Sequence, residues 1–250
     1  MKLEVTDLRF SYNGHPVLND ITFSVKSGEV ACILGVNGAG KSTLLKCLNR
    51  ILKPSKGEVL AGGEDLCRIS RNRIAGIMGY VPQRHPETDL RVYEAVLMGR
   101  KPHIHWSAGP DDFAVTEKVI DQMGIGHLAM RRVSDLSGGE IQKVIISRAL
   151  AQSPEILLLD EPTSNLDLKN QLEVMALVQN IVKANGISAI IAIHDLNTAI
   201  RFADSFIFLK NGKIHGVCRK DDLCPDLINR AYGVDVELSE VKGHKFVVPL

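Results

Sequence analysis

The sequence predicts an α/β fold. A mostly parallel sheet carries helices on both faces, with an N-terminal antiparallel β subdomain and an inserted α-helical subdomain. Three features carry that expectation. After residue 152, short apolar runs such as "EILLLDE" and "SAIIAIHD" alternate with amphipathic stretches, the pattern of strands covered on both faces. The first 35 residues are rich in β-branched side chains and are broken by the turn signal "NGHP". Between these regions, residues 92–131 are mainly helical and interrupt the alternation.

Taken in order, "KLEVTDLRFSY" and "DITFSVKSGEVACIL" read as strands. From Lys41 to Leu52 apolar residues recur at helical spacing (Leu44, Leu45, Cys47, Leu48, Ile51), and "KPSKG" ends that helix. "EVLAGG" reads as a short strand and turn, and "GIMGYVPQ" as another short strand. "VYEAVLMGR" and "DDFAVTEKVIDQMG" are the helices of the inserted block. A helix over 138–152, strand "EILLLDE", a helix over 169–185, strand "SAIIAIHD", a helix over 196–203 and strand "SFIFLKNG" complete the pattern. The expected organisation is one domain, 1–250, with the helical subdomain at approximately 86–152.

The composition narrows the function. Thirty Lys+Arg against 29 Asp+Glu leave a net charge of +1, so the broad basic field of a nucleic-acid binder is absent and no nucleic-acid partner is expected. The cysteines at 32, 47, 67, 218 and 224 contain no CxxC pair. They read as buried free thiols of a reducing compartment rather than a disulfide framework or zinc site. "MKLEVTDLRF" has no apolar signal core, and no apolar run approaches the ~18 residues that span a bilayer. Any membrane crossing is expected from other chains.

"GVNGAGKS", Gly35 to Ser42, fits G-x-x-x-x-G-K-[ST], with strand "EVACIL" before it and a helix after it. Glycines let backbone N–H groups wrap a polyphosphate, and the following helix adds its positive N-terminus. This defines a P-loop NTPase core. Gly35, Asn37, Gly38, Ala39, Gly40, Lys41, Ser42 and Thr43 are the candidate nucleotide cradle. Lys41 is placed to reach the β/γ-phosphates and Ser42 to ligate Mg²⁺. "ILLLDEPTS" sets Asp160 and Glu161 at the C-terminal end of a buried strand, the edge where parallel sheets bind ligands. Asp160 suits the Mg²⁺ shell, and Glu161 suits a general base that activates water. His194 ends the similar strand "AIIAIHD". Taken alone such a histidine is more often structural than catalytic, and Asp195 after it is a natural N-cap. In the same sheet as the other two motifs it gains weight as a group that hydrogen-bonds a γ-phosphate or orients Glu161 and water.

"LSGGE", Leu136 to Glu140, opens the helix over 138–152. Ser137 and Glu140 have capping-box spacing, in which Ser137 accepts from the N–H of residue 140 and Glu140 reaches back. The box gives no reason for Gly138 and Gly139, each unfavourable in a first turn by ~0.5–1 kcal/mol.

In the order they occur, these motifs resemble those of the nucleotide-binding subunit of an ABC transporter, over nearly the whole chain. "FSY" supplies Tyr12, matching the aromatic that stacks on adenine in that family. "GVNGAGKS" matches Walker A. "YVPQ" supplies Gln83, matching the Q-loop glutamine that touches the metal and senses the transmembrane partner. "LSGGE" matches the family signature, with Glu140 where the commonest form has Gln. "ILLLDE" matches Walker B, "SNLD" the D-loop with Asp167, and His194 the switch histidine. Each retains a plainer alternative: a strand aromatic for Tyr12, a loop glutamine for Gln83, an N-cap for Asp167.

The resemblance implies ATP and Mg²⁺ as cofactors. It also implies a head-to-tail dimer in which Ser137, Gly138, Gly139 and Glu140 contact ATP held by the second copy. It further implies two transmembrane permease subunits, an indirect substrate-binding-protein partner, and a peripheral position on the cytoplasmic face of a bacterial or archaeal inner or plasma membrane. "RISRNRIAGIMGYVPQ", "VYEAVLMGRKPH" and "AYGVDVELSEVKGHKFVVPL" look most like the ATPases of iron–siderophore, haem and vitamin B12 importers. An exporter ATPase and a soluble non-transport ABC mechano-ATPase are the competing readings. His103 and His105 in "HIH" read as solvated surface.

Overall fold

The computed structural model describes residues 1–84 and 88–250; the expected start of the helical subdomain, at 86, lies outside the described residues. The chain opens with the hairpin β1 (Leu3–Tyr12) and β2 (His15–Val25), joined through Asn13 and Gly14, both at positive φ. Two-residue hairpin turns need that left-handed geometry, which explains the turn at "NG". β3 (Val30–Leu34) follows and is buried along its whole length.

α1 (Lys41–Leu48) ends four residues before the expected Leu52. Arg50 enters the left-handed region at φ 52°, and its guanidinium Nη1 donates to the carbonyls of Leu66, Cys67 and Ile69. Periodicity cannot register a helix stopped by such a remote anchor. β4 (Lys56–Ala61) and β5 (Glu64–Asp65) complete an antiparallel sheet of order β2-β1-β4-β5.

The sequence reading misses α2 (Arg71–Ile77), which Ser70 caps by accepting from the Arg73 N–H at 3.2 Å. The strand expected from residue 76 therefore begins later, as β6 (Met78–Val81). α3 (Val92–Leu97), α4 (Pro110–Gln122) and α5 (Gly138–Leu150) lie between β6 and β7 (Ile156–Asp160). Buried Arg100 and Asp112 pair at 2.9 Å, and Arg100 Nη1 also donates to the Ala151 carbonyl at 2.8 Å. This ties the start of α4 to the end of α5. The Gly109 N–H foremost, then Arg100, holds the Asp112 carboxyl below its ordinary range.

α6 (Leu168–Asn185), β8 (Ser188–Ala192), α7 (Leu196–Phe202) and β9 (Ser205–Lys210) follow in the expected order. β10 (Lys213–Arg219), α8 (Pro225–Tyr232) and the hairpin β11 (Val236–Val241) with β12 (His244–Pro249) lie beyond the elements assigned from sequence. The hairpin is fastened to α7: Val247 N–H donates to Asn197 Oδ1 at 2.7 Å.

The central sheet runs β10-β9-β3-β8-β7-β6, parallel throughout except for the antiparallel edge strand β10. Successive side chains of a strand face opposite ways, so this sheet feeds two cores. Ala31, Ile33, Leu158 and Ile190 pack toward α1 and the antiparallel sheet. Cys32, Leu34, Leu157, Leu159 and Ile191 pack toward α5, α6 and α7. The thiols divide accordingly. Cys32 and Cys47 are buried as expected, but Cys67 and Cys224 are exposed and Cys218 is intermediate.

Candidate functional site

The site forms at the sheet edge where β3 and β7 end, with β8 between them. The loop after β3 depends on two glycines. A Cβ on Gly35 would lie 2.0 Å from the Leu209 carbonyl oxygen. Gly40, the residue before α1, sits at φ 106°. With that turn made, Asn37, Gly38, Gly40, Lys41, Ser42 and Thr43 line one pocket of about 180 Å³ together with Val17 and Glu161. Ala39 is 3% exposed and contributes its carbonyl to the Gly212 N–H rather than a wall of the pocket. A larger pocket of about 350 Å³ lies between α4, α5 and α6, away from these groups, so volume alone does not mark the site.

Lys41 Nζ donates to the carbonyls of Gly35 at 2.8 Å and Val36 at 3.2 Å. Burial pulls its pKa down, while the charges of Glu161 and Asp160 oppose that shift. Ser42 Oγ donates to Asp160 Oδ1 at 2.8 Å, and Tyr80 Oη donates to Asp160 Oδ2 at 3.2 Å. Burial foremost, with the Asp160 charge, pushes the Tyr80 phenol up, which keeps its proton in place as a donor.

Glu161 adopts φ 47°, a strained conformation for a non-glycine residue. Three hydrogen bonds enforce it. Its N–H donates to the Ala192 carbonyl at 2.9 Å, and its own carbonyl accepts from Ser164 N–H at 3.1 Å and Ser164 Oγ at 2.9 Å. The side chain is then met by Gln83 Nε2, 2.7 Å from Glu161 Oε2. Gln83 and Glu161 are 78 residues apart in sequence, and adjacency of β6 and β7 brings them together.

The remaining predicted residues are arranged around this centre. Tyr12 ends β1, is 43% exposed and makes a T-shaped contact with Phe10 at 4.7 Å between ring centroids. His194 is exposed, two residues past the end of β8. Asp195 caps α7 by accepting from the Thr198 N–H at 2.8 Å. Asp167 caps α6 by accepting from the Asn170 N–H at 2.8 Å.

Ser137, Gly138, Gly139 and Glu140 do not line the P-loop pocket. They form their own site at the N-terminus of α5. Its capping box is dominated by Glu140, whose Oε2 accepts from the Ser137 N–H at 2.8 Å and the Ser137 hydroxyl at 2.6 Å. These two bonds, hydroxyl first, hold the Glu140 carboxyl below its ordinary range. The capping box expected from the sequence is present, and the Ser137 hydroxyl adds a donated bond to the Glu140 carboxylate. Ser137 and Gly138 are exposed, leaving the first-turn N–H groups facing outward.

Gly139 has a reason inside the chain that the sequence did not disclose. A Cβ there would lie 2.7 Å from Asn170 Oδ1, and Asn170 is itself held by Asp167 Oδ2 at 3.0 Å. Gly139→Ala is therefore expected to destabilise by a net ~1 kcal/mol. Overpacking costs ~1–3 kcal/mol, partly offset by the ~1 kcal/mol helix-propensity gain. Thermal unfolding checks this: in an Asn170→Ala background the same change should raise the midpoint instead. Sequence reasoning also passed over Tyr80 and Val17. Tyr80 belongs with Asp160 only through strand pairing, so no motif spacing could have singled it out.

A glycine cradle, a lysine, a hydroxyl, two carboxylates at the end of β7 and a glutamine on the second of them define a nucleotide-hydrolysing P-loop enzyme. Comparison with known proteins narrows the class. The family model for ABC transporters matches residues 18–164. An uncharacterized ABC transporter ATP-binding protein of Methanocaldococcus jannaschii is 49% identical over 250 residues, covering 100% of this chain and 98% of the relative. The iron(3+)-hydroxamate import ATP-binding protein of Bacillus subtilis is 35% identical over 242 residues, covering 94% and 89%. A solved structure described as an inward-facing metal-chelate type ABC transporter superposes with a TM-score of 0.86 at 28% identity, covering 99% of this chain and 96% of that one. The chain belongs to the ABC transporter family, and within it to the ATPase subunits.

Proposed function

We propose that this chain is the ATP-hydrolysing motor of an importer for a metal chelate such as an iron–siderophore, haem or cobalamin. It would act as a head-to-tail pair beneath two transmembrane permease subunits, on the cytoplasmic face of the membrane. The observation that carries the coupling is the 2.7 Å hydrogen bond from Gln83 to Glu161. The helical subdomain carries a mostly apolar groove of about 520 Å³ whose lining includes Leu90, Leu97, Met98 and Ile104. Nearby Trp106 is fully exposed and Met98 is 53% exposed, a surface suited to a partner helix. A permease segment seated there is the proposed partner, and any movement it passes to Gln83 would reach Glu161. Among the described residues no helix is long and apolar enough to cross a membrane, consistent with a separate spanning chain. The chelate assignment rests on the import relative and the metal-chelate transporter structure.

Within each site the chain's own groups divide the work. The P-loop N–H groups and the α1 N-terminus bind the phosphates, and Lys41 leaves the Gly35 carbonyl for the β/γ-phosphates. Tyr12 offers its ring to adenine. Ser42, Asp160 and Gln83 provide the hard oxygen donors that Mg²⁺ prefers, and the 2.8 Å Ser42–Asp160 bond holds two of them in one place. Mg²⁺ there would neutralise phosphate charge. Glu161 takes the proton of the attacking water, and His194 orients that water or contacts the γ-phosphate. Ser137 and Gly138 present α5's N-terminus to ATP on the second copy, and Asp167 lines the same junction.

Expression with the native membrane proteins and purification from detergent tests this reading. A multispan partner should co-purify, and reconstituted ATPase activity should rise with a binding protein loaded with a ferric or cobalt chelate. ATPase stimulated by nucleic acid, without membrane association, would reject it in favour of a soluble mechano-ATPase.

A further inference from the structure

Tyr80 has no task in the chemistry just described, yet it is placed with care. It lies on β6 directly opposite Leu158 of β7. Asp160 is two residues beyond Leu158, so its side chain shares the face of Tyr80. The phenol holds Asp160 Oδ2 at 3.2 Å while Ser42 holds Oδ1 at 2.8 Å. Asp160 is only 2% exposed, so water does little to hold either oxygen. Leaving one acceptor of a buried carboxylate unmet is costly, and a single remaining bond would let the group rotate. Three residues further along the same segment, Gln83 holds Glu161. A four-residue stretch, 80–83, therefore grips both consecutive carboxylates, 160 and 161.

We infer that Tyr80 is a positioning residue for the metal-side carboxylate. By fixing Oδ2 it turns Oδ1 of Asp160 toward the Ser42 hydroxyl and sets the donor pair that receives Mg²⁺. The inference rests on the Mg²⁺ reading of Ser42 and Asp160 given above. It has a consequence for coupling. Gln83 alone would transmit a loop movement only to the water-activating carboxylate. With Tyr80 on the same strand, a shift of β6 reaches the metal side as well, so both halves of the site change together.

The test uses the full chain with Tyr80→Phe, which keeps the ring and removes only the hydroxyl. Binding of a fluorescent ATP analogue is measured in EDTA and then across a Mg²⁺ titration. Binding in EDTA should match the wild type within twofold. The Mg²⁺ concentration giving half-maximal tightening should rise roughly tenfold, the scale of one lost hydrogen bond to a charged group. An unchanged Mg²⁺ midpoint overturns the inference. So does a loss of affinity in EDTA as large as the loss with Mg²⁺, which would make Tyr80 a packing residue. If the wild type itself shows no Mg²⁺-dependent tightening, the metal reading of Ser42 and Asp160 falls first and the inference falls with it.

Discussion

Glu161→Gln should lower ATP turnover by about 10²–10⁴-fold, the usual contribution of a positioned general base, while ATP binding survives. The amide is nearly isosteric, and its oxygen can still accept from Gln83 Nε2. The enforced backbone at φ 47° is untouched, because main-chain bonds to Ala192 and Ser164 maintain it. What disappears is the capacity to take a proton from water. With chemistry blocked and binding intact, the ATP-bound pair should accumulate. Turnover assays combined with light scattering in ATP and Mg²⁺ check both halves. A variant that binds ATP yet remains monomeric would argue against the shared site.

Ser137→Arg should leave ATP binding within a few-fold of wild type and reduce hydrolysis by roughly 10²–10³-fold, the cost of losing an anion-stabilising donor set. Ser137 does not line its own chain's P-loop pocket, so ATP binding should not depend on it. It sits exposed at the outward-facing N-terminus of α5, where a long side chain blocks approach of a second copy's phosphate. Mixing separates a shared site from a private one. A Ser137→Arg chain retains a sound P-loop, and a Lys41→Ala chain retains a sound signature. Head-to-tail pairing rebuilds one complete site from the two, so the mixture should hydrolyse ATP when neither chain does alone. No recovery would mean that each chain works by itself.

Much of this site is legible in the sequence. The P-loop is read from one contiguous stretch because its chemistry is local: glycine freedom, a helix N-terminus, then Lys41 and Ser42. The alternation of apolar strands with amphipathic helices likewise follows from local periodicity. Where the sequence misled, a remote group was responsible. α1 stops at Leu48 because Arg50 is held by carbonyls of residues 66–69.

What the sequence by itself determined is the set of reactive groups and the sheet edge on which they stand. Residue type and spacing suffice for that, since each motif is a short contiguous stretch. Only the tertiary structure decided which groups touch. The order β3-β8-β7-β6 places Gln83 on Glu161 and Tyr80 on Asp160. Packing of α6 against α5 favours a glycine at 139 beside the Asn170 side chain. Such contacts join residues tens of positions apart through the lateral order of strands and the approach of helices. No local preference encodes that order, and it is fixed by burying both faces of the sheet at once.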